Sequence, residues 1–410
     1  MLGFFPLDEH LGLLPGSLSP RLSEALVRLS TWIPSFDHAA RELAYFTGAT
    51  VSKSTAVRRT QAAGAAALAV HQAEVDLLLR EDPPAPAGPE ALVLSVDGAM
   101  VPLVHGEWTE VKTLAIGTPT SVRAADGTPT VQTSTLSYFS RATDSETFAQ
   151  LAVGEVQRRG VERAERVAAV SDGAEWIQGF VDLHAPAAVR ILDFPHAASY
   201  IATIGQTLEA GQRLLSEEAV GRLLHRLKHE GPSEVLAELR CLGQAHPGVV
   251  KPVAYLEKRE AQLQYARFQA EGWPLGSGMV ESANKLVVEA RLKGAGMHWA
   301  PEHVDPMLAL RNAVCNDRWE EVWGQIEAEL RQQVVAQRGE RQKKRLAQQT
   351  VEVPGPEQAS AAGCPPVEVE RKRCPEVIAQ VRAELQQSPE VHPWRRAWSR
   401  RQQAVQASAA

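Results

Sequence analysis

The sequence predicts an α/β chain: a mixed sheet with helices on its faces, a helical domain ahead of it, a helical insertion within it and a helical, partly disordered tail behind it. Two patterns carry this reading. Five short runs between Ala91 and Leu192 have strand composition; the first three follow one another directly and the others are separated by helical stretches, which gives a mixed sheet. Residues 20–80, and those from Ala198 to Gln269, carry helical periodicity alone.

Leu22, Leu26 and Leu29 recur at helical spacing, and a second apolar stretch runs from Phe36 to Phe46. Gly48 breaks the pattern, and Ser52 or Ser54 can cap a further helix that carries Arg58 and Arg59. Helix, short glycine turn, helix with arginines is the outline of a helix-turn-helix. Residues 1–81 are therefore expected to form a helical, DNA-binding-like domain contacting DNA through Arg58 and Arg59, with a plain helical hairpin as the alternative. Asp82-Pro-Pro-Ala-Pro-Ala-Gly-Pro89 cannot hold a helix, because proline lacks the amide donor, so 82–90 is a linker.

Ala91 to Val96 is almost wholly apolar, and Val111 to Gly117 and Val131 to Phe139 alternate with Thr, Tyr and Phe. Ala124-Ala-Asp-Gly127 is a turn signal between the second and third runs. A helix from Ser145 to Arg159, a strand Arg166 to Val170, a helix ending near His184 and a strand Val189 to Leu192 complete the first part of the core, 91–197. Residues 198–272 form the helical insertion, and 273–335 return to the core. The tail, 336–410, is rich in Gln, Arg and Pro. Its runs Arg341-Gln-Lys-Lys-Arg345 and Arg371-Lys-Arg373 read as solvated charge or as a weak phosphate-tracking segment.

Lys and Arg number 43 against 49 Asp and Glu, for a formal charge of −6. That excludes a uniformly basic nucleic-acid coat protein but leaves room for local basic patches. No apolar run approaches the roughly 18 residues that span a bilayer, and Met1 to Asp8 lack the charged and apolar regions of a signal peptide. The expectation is a cytoplasmic chain with no membrane partner. Cys241, Cys315, Cys364 and Cys374 are scattered without a Cys-x-x-Cys pair and read as idle thiols, not as a disulfide framework or a zinc site.

Four motifs carry chemistry. Leu92-Val-Leu-Ser-Val-Asp97-Gly ends a buried strand in a carboxylate, which points into the crevice where ligands bind above a sheet. Val167-Ala-Ala-Val-Ser-Asp172-Gly-Ala repeats the design; an Asx-turn or helix cap is the bland alternative. Arg190-Ile-Leu-Asp193-Phe-Pro-His196 puts a third aspartate on a strand end, with a histidine that serves as ligand, proton donor, orienting group or plain structural residue. Trp273-Pro-Leu-Gly276-Ser-Gly278-Met-Val-Glu281-Ser-Ala-Asn-Lys285 opens a helix with Glu281 in its first turn, where capping is again the alternative. It does not match a P-loop. Glu281 and Lys285 share a helix face, as do Val280, Asn284 and Val287 beside them. Arg291-Leu-Lys293-Gly-Ala-Gly-Met-His-Trp299 is a basic, glycine-rich exit whose aromatic stacks a base or fills a core. Carboxylates converging on one point repel one another, and divalent cations make such a cluster tolerable.

In this order, Val-Asp97-Gly, Ser-Asp172-Gly-Ala, Asp193-x-x-His196 and Gly-Ser-Gly-x-Val-Glu281-Ser, the chain resembles the DDE transposases of bacterial insertion sequences, closest to the Mutator-like group and, within it, the Kra-type elements. Arg291 to Trp299 and His392-Pro-Trp-Arg395 also look family-like, and the likeness runs from Gly3-Phe-Phe-Pro-Leu-Asp8 almost to the end. The resemblance implies an RNase H-like sheet with a helical insertion before the final glutamate. It implies that Asp97, Asp172 and Glu281 form the catalytic triad that binds two Mg²⁺ or Mn²⁺ ions, with Asp193 and His196 flanking it. Some related groups use the aspartate of the D-x-x-H motif as second triad member; the strand-Asp-Gly context shared with Asp97 favours Asp172. Many relatives carry a Cys-based zinc ribbon ahead of the helical region, and no such motif precedes it in this sequence.

The implied activity is metal-dependent strand cleavage at transposon ends and transfer of the 3′-OH into target DNA, by a homo-oligomer on DNA. Phosphate contacts are expected from Arg58, Arg59, Lys285, Arg291 and Lys293, with Trp299 stacking on a base. The alternatives are an RNase H-like nuclease without strand transfer, and a domesticated DNA-binding protein whose carboxylates are caps.

Overall fold

The computed structural model describes residues 18–123, 129–209 and 212–351. Among them, 18–75 and Pro84–Leu330 form one packed unit, while Asp76–Pro83 and 331–351 belong to a second. The opening Gly3 to Asp8 motif, the turn at 124–127, the runs at 371–373 and 392–395, and Cys364 and Cys374 lie outside the described residues.

All five strand runs form strands: β1 (Ala91–Pro102), β2 (Trp108–Arg123), β3 (Pro129–Arg141), β4 (Arg166–Ser171) and β5 (Val189–Leu192). They make one mixed sheet in the order β3-β2-β1-β4-β5. The three consecutive strands pair antiparallel, and β4 and β5, each reached through helices, add parallel. The helices of the first unit, some continuing beyond it, are α1 (Pro20–Trp32), α2 (Phe36–Thr47), α3 (Lys53–Glu81), α4 (Ser145–Leu151), α5 (Val153–Arg158), α6 (Glu175–His184), α7 (Phe194–Gln206), α8 (Glu217–His229), α9 (Pro232–Ala245), α10 (Val250–Glu257), α11 (Tyr265–Ala270), α12 (Gly278–Ala283), α13 (Pro301–Cys315) and α14 (Trp319–Val351).

The period-2 alternation of β1 sorts its side chains between two layers. Leu92, Leu94 and Val96 pack with Phe148, Val156, Ile177 and Phe180 of α4–α6. Val93, Ala99 and Val101 face the other way, into a core shared with α7 to α12. The insertion is helical as its periodicity implies, except for a two-residue hairpin, Leu208–Glu209 with Gln212–Arg213, after α7.

The free edge of β3 is covered by side chains of α13 and of Asn316, which caps its C-terminus. Asn316 donates to Tyr138 O and accepts from Tyr138 N–H, both at 2.8 Å. Asn312 does the same for Ser140 at 3.2 and 3.0 Å, and Asp305 accepts from Ala142 N–H at 2.7 Å. Residues four apart on a helix rise about 6 Å, close to the two-residue repeat of a strand, so an Asn-x-x-x-Asn pair reads alternate backbone units as a neighbouring strand would.

In the amino-terminal helices, Gly48 ends α2 in the left-handed region (φ 74°), and Ser52 caps α3 by accepting from Thr55 N–H at 3.1 Å. Leu26, Ala40, Leu43 and Ala56 make a small shared core. By length and composition alone α3 is apolar enough to cross a membrane, at mean hydropathy 1.2 over an 18-residue window. This departs from the sequence expectation because alanines between Ala62 and Ala69 lift the average. Ala63, Ala66 and Ala67 pack on α13 and α14. A Cβ at Gly64 would meet the Pro306 carbonyl oxygen at 2.4 Å, so only glycine permits this crossing.

In the second unit, α14 runs on to Val351, well past the point where the sequence reading began its tail. Gln, Arg, Lys, Glu and Ala all sustain a helix, and no proline intervenes before Pro354.

Candidate active site

Asp97 shares its β1 face with Val93, Ala99 and Val101. The parallel pairing of β1 with β4 stops at Leu94↔Ala169, while β1 continues against β2 with Asp97 opposite Thr113. Asp97 thus lies at the end of the parallel ladder and not, as the sequence implied, at the end of the strand. The antiparallel partner β2 keeps β1 extended to Pro102 beyond the last residue paired with β4.

Asp172 follows the last residue of β4. Its Oδ1 accepts from Ala174 N–H at 2.9 Å, which is an Asx-turn, and Gly173 takes a positive φ of 80° to complete the turn. Asp172 therefore does have the turn-forming role given as the bland alternative, and its Oδ2 is left over. Glu281 is exposed in the first turn of α12. Ser277, at the N-cap, makes no side-chain capping bond, and Glu281 in the first turn has the placement in which a carboxylate favours the helix dipole, as the bland alternative has it.

Asp172 and Glu281 lie close enough to act on Asp97. Burial pushes the Asp97 carboxyl above its ordinary value; the Gly98 N–H opposes the shift, the negative charges of Asp172 and Glu281 add to it, and a hydrogen bond from Asn284 opposes it. The three carboxylates do not close to ligating distance: among the described residues, no three His, Cys, Asp or Glu side chains gather as a group that could hold a metal ion. Asn284 adds to the site what the sequence reading missed. It is buried, its Nδ2 donates to Asp97 Oδ2 at 3.0 Å, and its Oδ1 is buried without a partner. The sequence placed Asn284 only on an apolar helix face; its spacing of three from Glu281 was the available signal. In donor chemistry, though not in spacing, three carboxylates with an orphaned buried amide oxygen beside them match what a hard divalent cation takes.

Just past Glu281 the helix widens into a π-helical stretch, Asn284–Glu289, before a last turn, Ala290–Leu292. Two buried arginines lock this stretch to the end of α1. Arg311 donates to Val287 O (3.1 Å), Thr31 O (3.2 Å) and Leu286 O, and Arg291 donates to Ser30 O (2.9 Å). The last turn of α1 has no basic residue of its own, so these guanidiniums satisfy carbonyls that a helix end leaves orphaned.

This corrects two expected DNA contacts. Arg291 is fully buried over the Phe36 and Trp299 rings, and Trp299 is buried with its indole N–H on Leu292 O at 3.1 Å. Arg291 Nε meets the Ser30 carbonyl while Nη1 and Nη2 are buried without a hydrogen-bond partner, with the two π-faces against the guanidinium, and burial leaves neither residue for phosphate or base. Lys293 pairs with Glu289 at 2.9 Å. Arg58 and Lys285 are exposed, and Arg59 is half-buried, its pKa lowered by burial and by Arg58.

Asp193 is buried and spends both oxygens on backbone. Oδ2 caps α7 by accepting from His196 N–H at 2.9 Å, and Oδ1 accepts from Ser277 N–H at 2.6 Å, one residue before α12. His196 stacks edge-on against Tyr200 and Tyr255, with centroids 5.2 and 6.0 Å away.

The chain matches no family model and no curated protein.

The coupling of Asp97 to its neighbours has a measurable consequence. A carboxyl whose folded-state pKa is raised is less stable ionised than in the unfolded chain, so the native state loses stability as pH rises through that pKa. Asp97→Asn, which keeps the acceptor for Asn284, should melt about 1–2 °C higher than the parent at pH 7 in EDTA. The gain should shrink as pH falls and the parent's Asp97 protonates. A lower melting temperature at pH 7 contradicts the coupling.

Proposed function

We propose that the chain is a DDE-type transposase with an RNase H-like core, cleaving DNA strands at the ends of an insertion sequence and joining the freed 3′-OH to target DNA. The observation that carries this reading is the electrostatic convergence of Asp97, Asp172 and Glu281, drawn from β1, the end of β4 and a helix that follows an intervening helical block. The five-stranded mixed sheet supports it. So does the engagement of both Asp193 oxygens by backbone, which favours Asp172 as the second member of the triad.

Asp97, Asp172 and Glu281 would hold two Mg²⁺ or Mn²⁺ ions. When bound, such a pair supplies charge stabilisation for in-line phosphoryl displacement. The protein's own groups do the rest: Asn284 fixes the rotamer of Asp97, while Arg58 and Lys285 offer exposed cations to phosphates. No covalent protein–DNA intermediate is needed, so no nucleophilic Ser or Tyr is assigned. The working form is a homo-oligomer on DNA, in the cytoplasm, because pairing two ends takes two active sites.

The test is incubation of the protein with the DNA that flanks its gene, with Mg²⁺, Mn²⁺ or EDTA. Cleavage at a repeated terminal sequence, with joined products and only in the presence of metal, is expected. Hydrolysed ends alone would replace strand transfer with a nuclease activity, and tight binding without cleavage would leave a domesticated DNA-binding protein.

A further inference from the structure

The turn that presents Asp172 is gripped from outside the sheet. Tyr255, on α10, donates its hydroxyl to Asp172 O. Arg259, just beyond α10, donates to Gly173 O at 2.6 Å and to Tyr255 O at 3.2 Å, and its guanidinium lies 3.7 Å from the Tyr255 ring centroid. The fit at Gly173 is close: a Cβ there would meet Arg259 Nε at 2.6 Å and the Tyr255 hydroxyl at 2.9 Å. The glycine after Asp172 therefore serves two ends, the positive φ of the turn and the seat for these two side chains. Behind them Tyr200 of α7 stacks flat on Tyr255, with centroids 4.1 Å apart and rings 2° from parallel, and His196 meets both rings edge-on.

We infer that Tyr255 and Arg259 are positioning residues through which the helical insertion holds the Asp172 turn, so that this carboxylate is presented to the metal in one orientation; the inference rests on the transposase reading of the site. The geometry explains what a block of helices between β5 and α12 does for a centre to which it lends no carboxylate. Without the two grips, Asp172 sits in a loop between β4 and α6 held by two bonds local to the turn, Ala174 N–H to its Oδ1 at 2.9 Å and Gly173 N–H to Ser171 Oγ at 3.2 Å. The geometry also explains His196: the imidazole buttresses the aromatic pair, while Asp193 in the same motif pins the entry to α12. One short motif thus braces the approaches to two of the three carboxylates.

The test is Tyr255→Phe, which removes one hydroxyl and keeps the ring stack, with Arg259→Ala and Arg259→Lys beside it. Four quantities are read on the full chain: melting temperature in EDTA, amide hydrogen exchange of residues 173–175, Mn²⁺ affinity without DNA, and cleavage as a function of Mn²⁺ concentration. Groups that orient a metal ligand typically contribute 10–100-fold to metal affinity. Tyr255→Phe should accordingly weaken Mn²⁺ binding about tenfold, speed exchange at the turn and shift the Mn²⁺ dependence of cleavage more than its maximum, with the melting temperature little changed. Arg259→Ala should weaken Mn²⁺ further, and Arg259→Lys should recover part of the loss. Unchanged Mn²⁺ affinity or unchanged exchange in Tyr255→Phe overturns the inference. If the parent protein itself neither binds Mn²⁺ nor cuts DNA, the transposase reading falls and this inference with it, a failure visible before any variant is compared.

Discussion

Glu281→Gln should lose metal-dependent strand cleavage by at least ~10²-fold, since residues that merely orient metal ligands already contribute 10–100-fold. Glutamine keeps the volume and helix propensity of glutamate, and Glu281 is exposed with no capping bond to lose, so the fold should be undisturbed. Two secondary effects follow from the same charge. Removing a negative group near Asp97 lowers the pKa of that carboxyl towards its ordinary value. It also removes repulsion toward phosphate, so metal-free DNA binding should hold or tighten slightly. Cleavage on the parent's scale, measured with matched DNA occupancy, removes Glu281 from the site. Lost cleavage together with lost DNA binding contradicts the division of labour between Glu281 and the exposed cations.

Arg311→Leu should destabilise the protein by about 3–5 kcal/mol. The residue is almost fully buried, and its pKa is lowered first by that burial. Replacing a buried charge by an apolar group is often neutral, because desolvation is avoided. Here the balance goes the other way. Its three hydrogen bonds end on backbone carbonyls that leucine cannot satisfy, two of them in the π-helical stretch, where the regular i→i+4 ladder is already broken. The Trp32 ring, 4.6 Å from the guanidinium, also loses its partner. Denaturant unfolding measures the loss, and hydrogen exchange should place it first in residues 284–292 and at the end of α1. Arg311→Lys should recover only part, since one ammonium cannot span three carbonyls in a fixed fork. A loss under about 1 kcal/mol would mean that those carbonyls find water.

Much of this architecture is legible in local pattern, and what is not legible has identifiable causes. The five strands and the helical block follow from periodicity, because apolar spacing depends only on which face is buried. The Gly-Ser-Gly entry to α12 and the Ser52 cap follow from backbone chemistry. The aspartates were found as strand-Asp-Gly motifs, but Asp97 does not end its strand: its termination depends on which neighbour keeps pairing, and that is tertiary information. Arg291 faces carbonyl and not phosphate, and Trp299 takes the core, one of the two places its sequence leaves open, for a related reason. A basic, glycine-rich segment has the same composition whether it faces phosphate or a helix-end carbonyl, and the carbonyl that meets Arg291 is that of Ser30, more than two hundred residues away. Asn284 has no mark of its own in the sequence, since an amide on an apolar face gains meaning only when Asp97 is opposite it. The clamp at Gly173 was invisible, as nothing local to Tyr255 or Arg259 marks them as partners of a turn far upstream.

The amide ladder from α13 to β3 also has a consequence in time. Asn312 and Asn316 are made 172 and 178 residues after the backbone units they cover. At a synthesis rate of about 5–20 residues per second, β3 spends roughly 10–35 s outside the ribosome with its hydrogen-bonding edge bare. Nascent chains on one messenger lie close together during that interval, and an uncovered strand is a template for its own copy. Holding the newborn sheet apart from its neighbours until α13 arrives is thus a task for the translation machinery and its attendant chaperones, and slower elongation through 142–316 should raise the aggregated fraction without altering the finished molecule.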